Sequence, residues 1–186
     1  MIRMLYPCEY LDSVFSIDYR KLYQLGYRGI LLDIDNTLVL HGADSTPEVD
    51  QLFREMHQAG LKTLLLSNNS EERIQRFLAN IQSLYIAEAD KPAPRSYQQA
   101  LTMLGIPREQ AVMVGDQIFT DIYGANRCGI DSILVHFLRR EGEWWPGKRR
   151  LVEKLILFCR RLDPGRRRIG DIVKKERGAR DAAKAT

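Results

Sequence analysis

The chain has 186 residues, a length that suggests one domain with one core, and its 45% hydrophobic and 28% charged residues are an ordinary globular balance. No apolar run is long enough to cross a bilayer, the start Met1 to Pro7 lacks a signal-peptide core, and the three cysteines (Cys8, Cys128, Cys159) form no CxxC pair; this points to a cytoplasmic protein without a disulfide framework or a zinc site. The net charge of +4 hides an asymmetry: residues 139–186 hold 16 Lys+Arg and 7 Asp+Glu, or +9, against −5 for the remainder, which suits a polyanionic partner such as anionic lipid or nucleic acid.

From residue 29 onward, short apolar runs alternate with helical patterns. The first run is Gly29 to Asp33. Thr46-Pro47-Glu48 then starts a helix whose apolar face is Val49, Leu52, Phe53 and Met56, and Gly60 closes it. Leu61 to Ser67 reads as a second buried strand. Ser70-Glu71-Glu72-Arg73 opens another helix with Ile74, Phe77 and Leu78 inside, and a weak strand follows at Leu84-Tyr85-Ile86. A helix from about Arg95 to Leu104 stops at Gly105, Ala111 to Gly115 is the next strand, and a helix then runs to about Cys128-Gly129. Ser132 to Val135 is the fifth strand. Near-continuous apolar strands joined by helical crossovers predict an α/β fold: a doubly wound, parallel, five-stranded Rossmann-like sheet covered on both faces.

The last part differs. Leu151, Val152, Leu155, Ile156, Phe158, Cys159 and Leu162 form a broad apolar helix face set among Lys and Arg, and Pro164 ends it. Residues 163–186 read as a basic tail with little to bury, mobile or only partly helical, after a single domain at 1–162.

Polar residues follow three strands directly, at the carboxyl ends where doubly wound sheets bind their ligands. Asp33-Ile34-Asp35-Asn36-Thr37 ends the first strand. Side chains two apart in an extended chain share one side, so both carboxylates face one small volume. Such a pair needs a proton or a cation, and a hard divalent ion with oxygen ligands, magnesium, suits it. Three more features join this one: a hydroxyl at Ser67 with Asn68 and Asn69, Lys91 before Pro92, and Gly115-Asp116-Gln117 with a second acid at Asp121.

These elements, in this order and at these strand ends, resemble the haloacid dehalogenase superfamily. The strings Asp-Ile-Asp-Asn-Thr-Leu, Ser-Asn-Asn and Gly-Asp-Gln-Ile-Phe-Thr-Asp are similar to its YqeG-like type IIIA phosphatases, over about residues 5–137. The resemblance implies a magnesium-dependent phosphatase. Asp33 would be the nucleophile that forms an aspartyl-phosphate, and Asp35 the proton donor and acceptor. The metal would be held by Asp33, Asp116 and the main-chain carbonyl of Asp35. Ser67 and the Asn68 amide would hold phosphoryl oxygens, and Lys91 would add positive charge. Asn36, Thr37, Asn69, Gln117 and Asp121 would support these loops.

Plainer roles stay beside these. A strand-end Asp can cap a helix or form a turn, and for Asp121 capping and support of a metal site stand level. Lys91 can be a solvated lysine. His41, His57 and His136 lack ligand spacing, and Cys128 reads as a small buried apolar residue. Only 31 residues separate Asp35 from Ser67 and 21 separate Asn69 from Lys91, which leaves no room for a cap domain. A capless site suits a phosphate projecting from something large. The resemblance extends to phosphatidylglycerophosphate phosphatases, and the basic helix and Trp144-Trp145 suit a peripheral place on an anionic membrane. A nucleic-acid or nucleotide phosphatase, or a non-catalytic RNA- or ribosome-associated protein on the same fold, are the alternative readings.

Overall fold

The computed structural model describes residues 2–138 and 147–174, the side chains of 147–150 excepted. Its centre is a six-stranded, all-parallel sheet. In chain order the strands are β1 (Glu9–Leu11), β2 (Gly29–Leu32), β3 (Lys62–Leu66), β4 (Leu84–Ile86), β5 (Ala111–Gly115) and β6 (Asp131–Val135). Their spatial order is β1-β6-β5-β2-β3-β4. The helices are α1 (Tyr19–Gln24), α2 (Pro47–Gln58), α3 (Glu71–Phe77), α4 (Pro94–Leu104), α5 (Tyr123–Arg127) and α6 (Gly147–Leu162), with one π-helical turn at Ile118–Ile122 before α5.

The five strands expected from the sequence are all present, and the sheet has one more. β1 pairs with β6, Tyr10 opposite Leu134, at the edge of the sheet. Glu9-Tyr10-Leu11 begins with an acid and forms no apolar run that would mark a strand.

β2, β5 and β6 are buried along their whole length, which is why they read as unbroken apolar runs. One face of the sheet packs α1, α2 and α3 through Leu22, Leu52, Phe53, Met56, Ile74 and Phe77. The other packs α4 and α5 through Tyr97, Ala100, Leu104 and Ala125. A smaller cluster of Tyr6, Ile118, Ile122, Leu134 and Ile156 seats α6. The helix starts follow their caps: Thr46 Oγ1 accepts from Val49 N, and Ser70 Oγ accepts from Arg73 N. α4 ends at Gly105, whose left-handed φ of 65° suits a residue without Cβ.

Between β2 and β3 lie only one loop and α2; between β3 and α4 lie only α3, a short 3-10 turn and β4. No domain is inserted in either place. Among the described residues, no helix is long and apolar enough to cross a membrane.

Residues 163–174, read from the sequence as the start of a tail, lie along the body. Buried Glu9 accepts from Ile169 N and Gly170 N at 3.0 and 3.1 Å, and Arg168 Nε stands 3.3 Å from it. Arg167 pairs with Asp131 at 2.7 Å, Ile172 is buried, and Val173 bridges to Ile17. Ile172, and Ile169 half-buried against the same cluster, give this stretch something to bury. Residues 175–186, and the pair Trp144-Trp145, fall outside the described residues.

Candidate active site

The chain leaves β2 towards β3 and β4 on one side, and later returns as β5 on the other side of β2. The crevice beyond the carboxyl ends of β2 and β5 is therefore the switch point of the sheet. Asp33 follows β2 and Asp116 follows β5. Asp33 N still donates to Val114 O at 3.0 Å, so the two strand ends are locked in register where the acids emerge.

Carboxylate oxygens of Asp33, Asp116 and Asp121 all lie within 4.8 Å of one another. Lys91 Nζ sits 2.6 Å from Asp33 Oδ1 and 2.7 Å from Asp121 Oδ1. Thr37 Oγ1 stands 3.4 Å from Asp33 Oδ2 and 3.3 Å from Asp116 Oδ1. All five residues are buried. Asp33 keeps 7% of its surface in contact with solvent, so the cluster has an opening.

Three acids and one lysine in so small a volume leave an excess of negative charge. Burial pushes Asp33 up and Asp121 adds to this, while Lys91 pulls it back, so that it settles at about 6. Asp121 is likewise raised: burial pushes it up and Asp116 adds to this, against the pull of Lys91. Burial would lower Lys91, but Asp121 and Asp33 outweigh it and hold the ammonium charged. The set of oxygen donors around this excess charge fits a hard divalent cation.

Asp121 does two things at once. Its Oδ2 accepts from Gln117 N at 3.1 Å and closes the turn after β5, while its Oδ1 meets Lys91. Tyr97, buried in α4, donates to Thr120 O at 2.9 Å and holds the same turn. Gly115 has to be glycine here. A Cβ on it would lie 2.4 Å from Asp121 Cγ. Gly115→Ala is expected to cost about 1–3 kcal/mol of stability by overpacking and to lower phosphate release about 10²-fold by displacing Asp121 and Lys91. Denaturant melts and a phosphate-release assay check both.

Asp35 lies outside the three-acid cluster. Its carboxylate accepts from Asn69 Nδ2 at 2.9 Å and Gly42 N at 3.1 Å; Arg73 is 3.2 Å away and His41 Nδ1 3.1 Å. Burial would raise its pKa, but the bonds from Asn69 and Gly42 and the charges of Arg73 and His41 win, and it is lowered. The role set out for Asp35 toward a metal was through its main-chain carbonyl, and its side chain is not one of the three clustered acids.

Ser67 ends β3, is buried, and accepts from Asn69 N at 3.2 Å. Asn68 ties the loop after β3 to the lysine: its Oδ1 accepts from Lys91 N at 2.8 Å. The Lys91–Pro92 peptide is cis. Asn36 takes a left-handed φ of 61° and folds the loop back, with its N on Val39 O and its O accepting from Leu138 N. The residues given a site role from the sequence thus lie in the loops beyond β2 and β3, in the Lys91 loop, or in the loop and π-helical turn after β5. The sequence reading missed Arg73, His41, Gly42 and Tyr97. Arg73 carried a signal: a cation in the first turn of a helix opposes the helix dipole.

Two hollows deserve comparison. One, about 810 Å³, lies between α1, α2 and residues 171–174 and contains none of these groups. A smaller apolar groove of about 440 Å³ adjoins the Asp35 loop, lined by Phe15, Leu38, Val39, Leu40, Ala43 and Leu138 among others.

Residues 40–129 match the family of haloacid dehalogenase-like hydrolases. The chain is 34% identical over 152 residues to the Bacillus subtilis protein described as "Probable phosphatase YqeG", covering 81% of this chain and 88% of that one. It is 28% identical over 141 residues to the Chlamydomonas reinhardtii chloroplastic phosphatidylglycerophosphate phosphatase 1, spanning 52% of that protein. A solved structure of an uncharacterized Listeria monocytogenes protein shares the fold, with a TM-score of 0.51, 22% identity and coverage of 72% of this chain and 99% of that one. The chain therefore belongs to the haloacid dehalogenase-like hydrolases and, among them, to the phosphatases of the YqeG kind.

Proposed function

We propose that the chain hydrolyses a phosphomonoester through an aspartyl-phosphate on Asp33, with magnesium as its metal and phosphatidylglycerophosphate as its substrate. The observation that carries this reading is the convergence of Asp33, Asp116 and Asp121 around Lys91. An Asp33 oxygen attacks phosphorus, and the bond from phosphorus to the leaving oxygen breaks. Asp35 gives its proton to that oxygen. Water then attacks the acyl phosphate, Asp35 takes its proton, and phosphate leaves.

Asp35 is held ionised in the free site, which suits the second half of the cycle. The first half needs it protonated, and an arriving phosphate dianion raises its affinity for a proton. Lys91 supplies a fixed cation beside the attacking carboxylate, and Ser67 and the Asn68 amide lie at the next strand end to hold phosphoryl oxygens. Magnesium on the carboxylates of Asp33 and Asp116 and the main-chain carbonyl of Asp35 would shield the phosphoryl group from the Asp33 charge.

Three things support a lipid monoester. One is the similarity to the algal phosphatidylglycerophosphate phosphatase. Another is the absence of an inserted domain over the site, which leaves room for a substrate too large to enclose. The third is the apolar groove beside the Asp35 loop. The test compares phosphatidylglycerophosphate in mixed micelles, para-nitrophenyl phosphate, nucleoside monophosphates and 5′-phosphorylated DNA, each with magnesium and with excess chelator. Magnesium-dependent release with the highest kcat/KM on the lipid is expected. A preference for nucleotide or DNA ends would move the substrate to nucleic acid, and no release from any of them would end the catalytic reading.

A further inference from the structure

α6 meets the body along one narrow side. Ile156 is buried against Tyr6, Ile118, Ile122 and Leu134. Glu153, the one acid in the helix, points inward and accepts from Ile118 N at 3.2 Å, and Arg160 donates to the carbonyls of Pro7 and Cys8. The opposite side carries Leu151, Val152, Leu155, Phe158 and Leu162, each between 48% and 66% exposed. Four of these recur at i, i+4, i+7 and i+11, so they form one stripe along the helix. Exposed Lys154 and Arg161 lie along one border of it.

A closing helix that only covered the sheet would turn its apolar side inward. This one turns most of it to solvent. Single exposed leucines are commonplace, but five large apolar side chains grouped on one helix mark a surface made for contact. We propose that this stripe is the surface by which the protein docks on an anionic lipid bilayer, with α6 lying flat in the interface.

Charge selects the occupant. Residues 1–138 carry −5 and repel polyanions, whereas residues 139–186 carry +9, and the only acid of α6 is turned away from the stripe. A second copy laid on the same stripe would bring two strongly basic segments together. An anionic bilayer takes both the apolar side chains and the cations, about 1 kcal/mol of attraction being typical for each Lys or Arg near such a surface. α6 is also joined to the catalytic turn: Ile118, which Glu153 holds, is two residues from Asp116. The docked helix is therefore tied directly to the turn that carries Asp116. The inference stands on α6 alone and does not require the lipid to be the substrate.

The experiment is sedimentation of the full chain with vesicles of phosphatidylglycerol and phosphatidylcholine, or phosphatidylcholine alone, without substrate. Wild type is expected to partition at least tenfold more strongly to the anionic vesicles. The double variant Leu155→Asp, Phe158→Asp should lose at least tenfold of that binding while keeping its melting curve and its release of phosphate from para-nitrophenyl phosphate. Wild type that ignores anionic vesicles, or a double variant that binds them as well as wild type, overturns the proposal. So does a wild-type dimer, seen by light scattering, that the double variant converts to monomer without any vesicle binding; a second copy would then own the stripe. Because binding is read without turnover, loss of the catalytic reading would leave this result intact.

Discussion

Asp33→Asn is expected to abolish phosphate release, by on the order of 10⁴-fold or more in kcat, since removal of a covalent nucleophile takes away the pathway itself and not one contact in it. The amide has nearly the shape of the carboxylate, so Thr37 keeps its neighbour and Lys91 keeps Asp121 at 2.7 Å. One buried negative charge disappears from a place where three compete. Far-UV circular dichroism and the melting transition should therefore match those of wild type, and single-turnover experiments with radiolabelled substrate should find no acid-stable, base-labile phosphoprotein. Near-wild-type turnover in this variant would falsify the assignment of Asp33 as nucleophile.

Lys91→Met is expected to unsettle the fold as well as the chemistry. Wild type holds the ammonium 4% exposed between two acids. Methionine fills much of the volume but leaves Asp33 and Asp121 buried without their cation, and breaking a buried pair in this way typically costs about 3–5 kcal/mol. That is a large share of the roughly 5–15 kcal/mol by which a domain is stable. The pH dependence has a definite sign. Burial already raises Asp33 to about 6 against the pull of Lys91, and without that pull it rises further. An acid with a raised folded pKa keeps its proton in the native state where the unfolded chain, near about 4, has released it. Its stability is lost as pH climbs from that unfolded value through the folded one. The deficit of Lys91→Met relative to wild type should therefore shrink between pH 8 and pH 5 in urea titrations. A deficit that grows on acidification would mean that the two carboxylates are not the groups left stranded.

Much of this site was legible because strand chemistry is local. Asp33 and Asp35 stand two apart at a strand end, Gly115-Asp116 ends another strand, and the apolar runs that precede them name their own burial. Caps at Thr46 and Ser70 marked helix starts for the same reason. What was not legible depends on contacts between distant parts of the chain. Arg73 reaches Asp35 across 38 residues; its place against the helix dipole hints at a partner, but nothing in the helix names which one. β1 exists because β6 offers it an edge. α6 is the sharpest case. Seven of its apolar residues were read as one broad face, yet the fold buries Ile156 and leaves Leu151, Val152, Leu155, Phe158 and Leu162 outside. Periodicity tells which residues share a side of a helix, not what that side rests upon.

The strap formed by residues 163–174 lies along one edge of the sheet. β1 is the last strand on its side of the sheet, and such a strand offers bare amides and carbonyls to any passing chain, the template from which aggregates grow. Here the strap runs past it: Arg168, Ile169, Gly170 and Val173 share a crevice with Glu9, Tyr10 and Leu11, and the Glu9 carboxylate clasps two strap amides. Proteolytic nicking before Arg168 would uncap that rim, and the nicked protein is expected to self-associate more readily than the intact one.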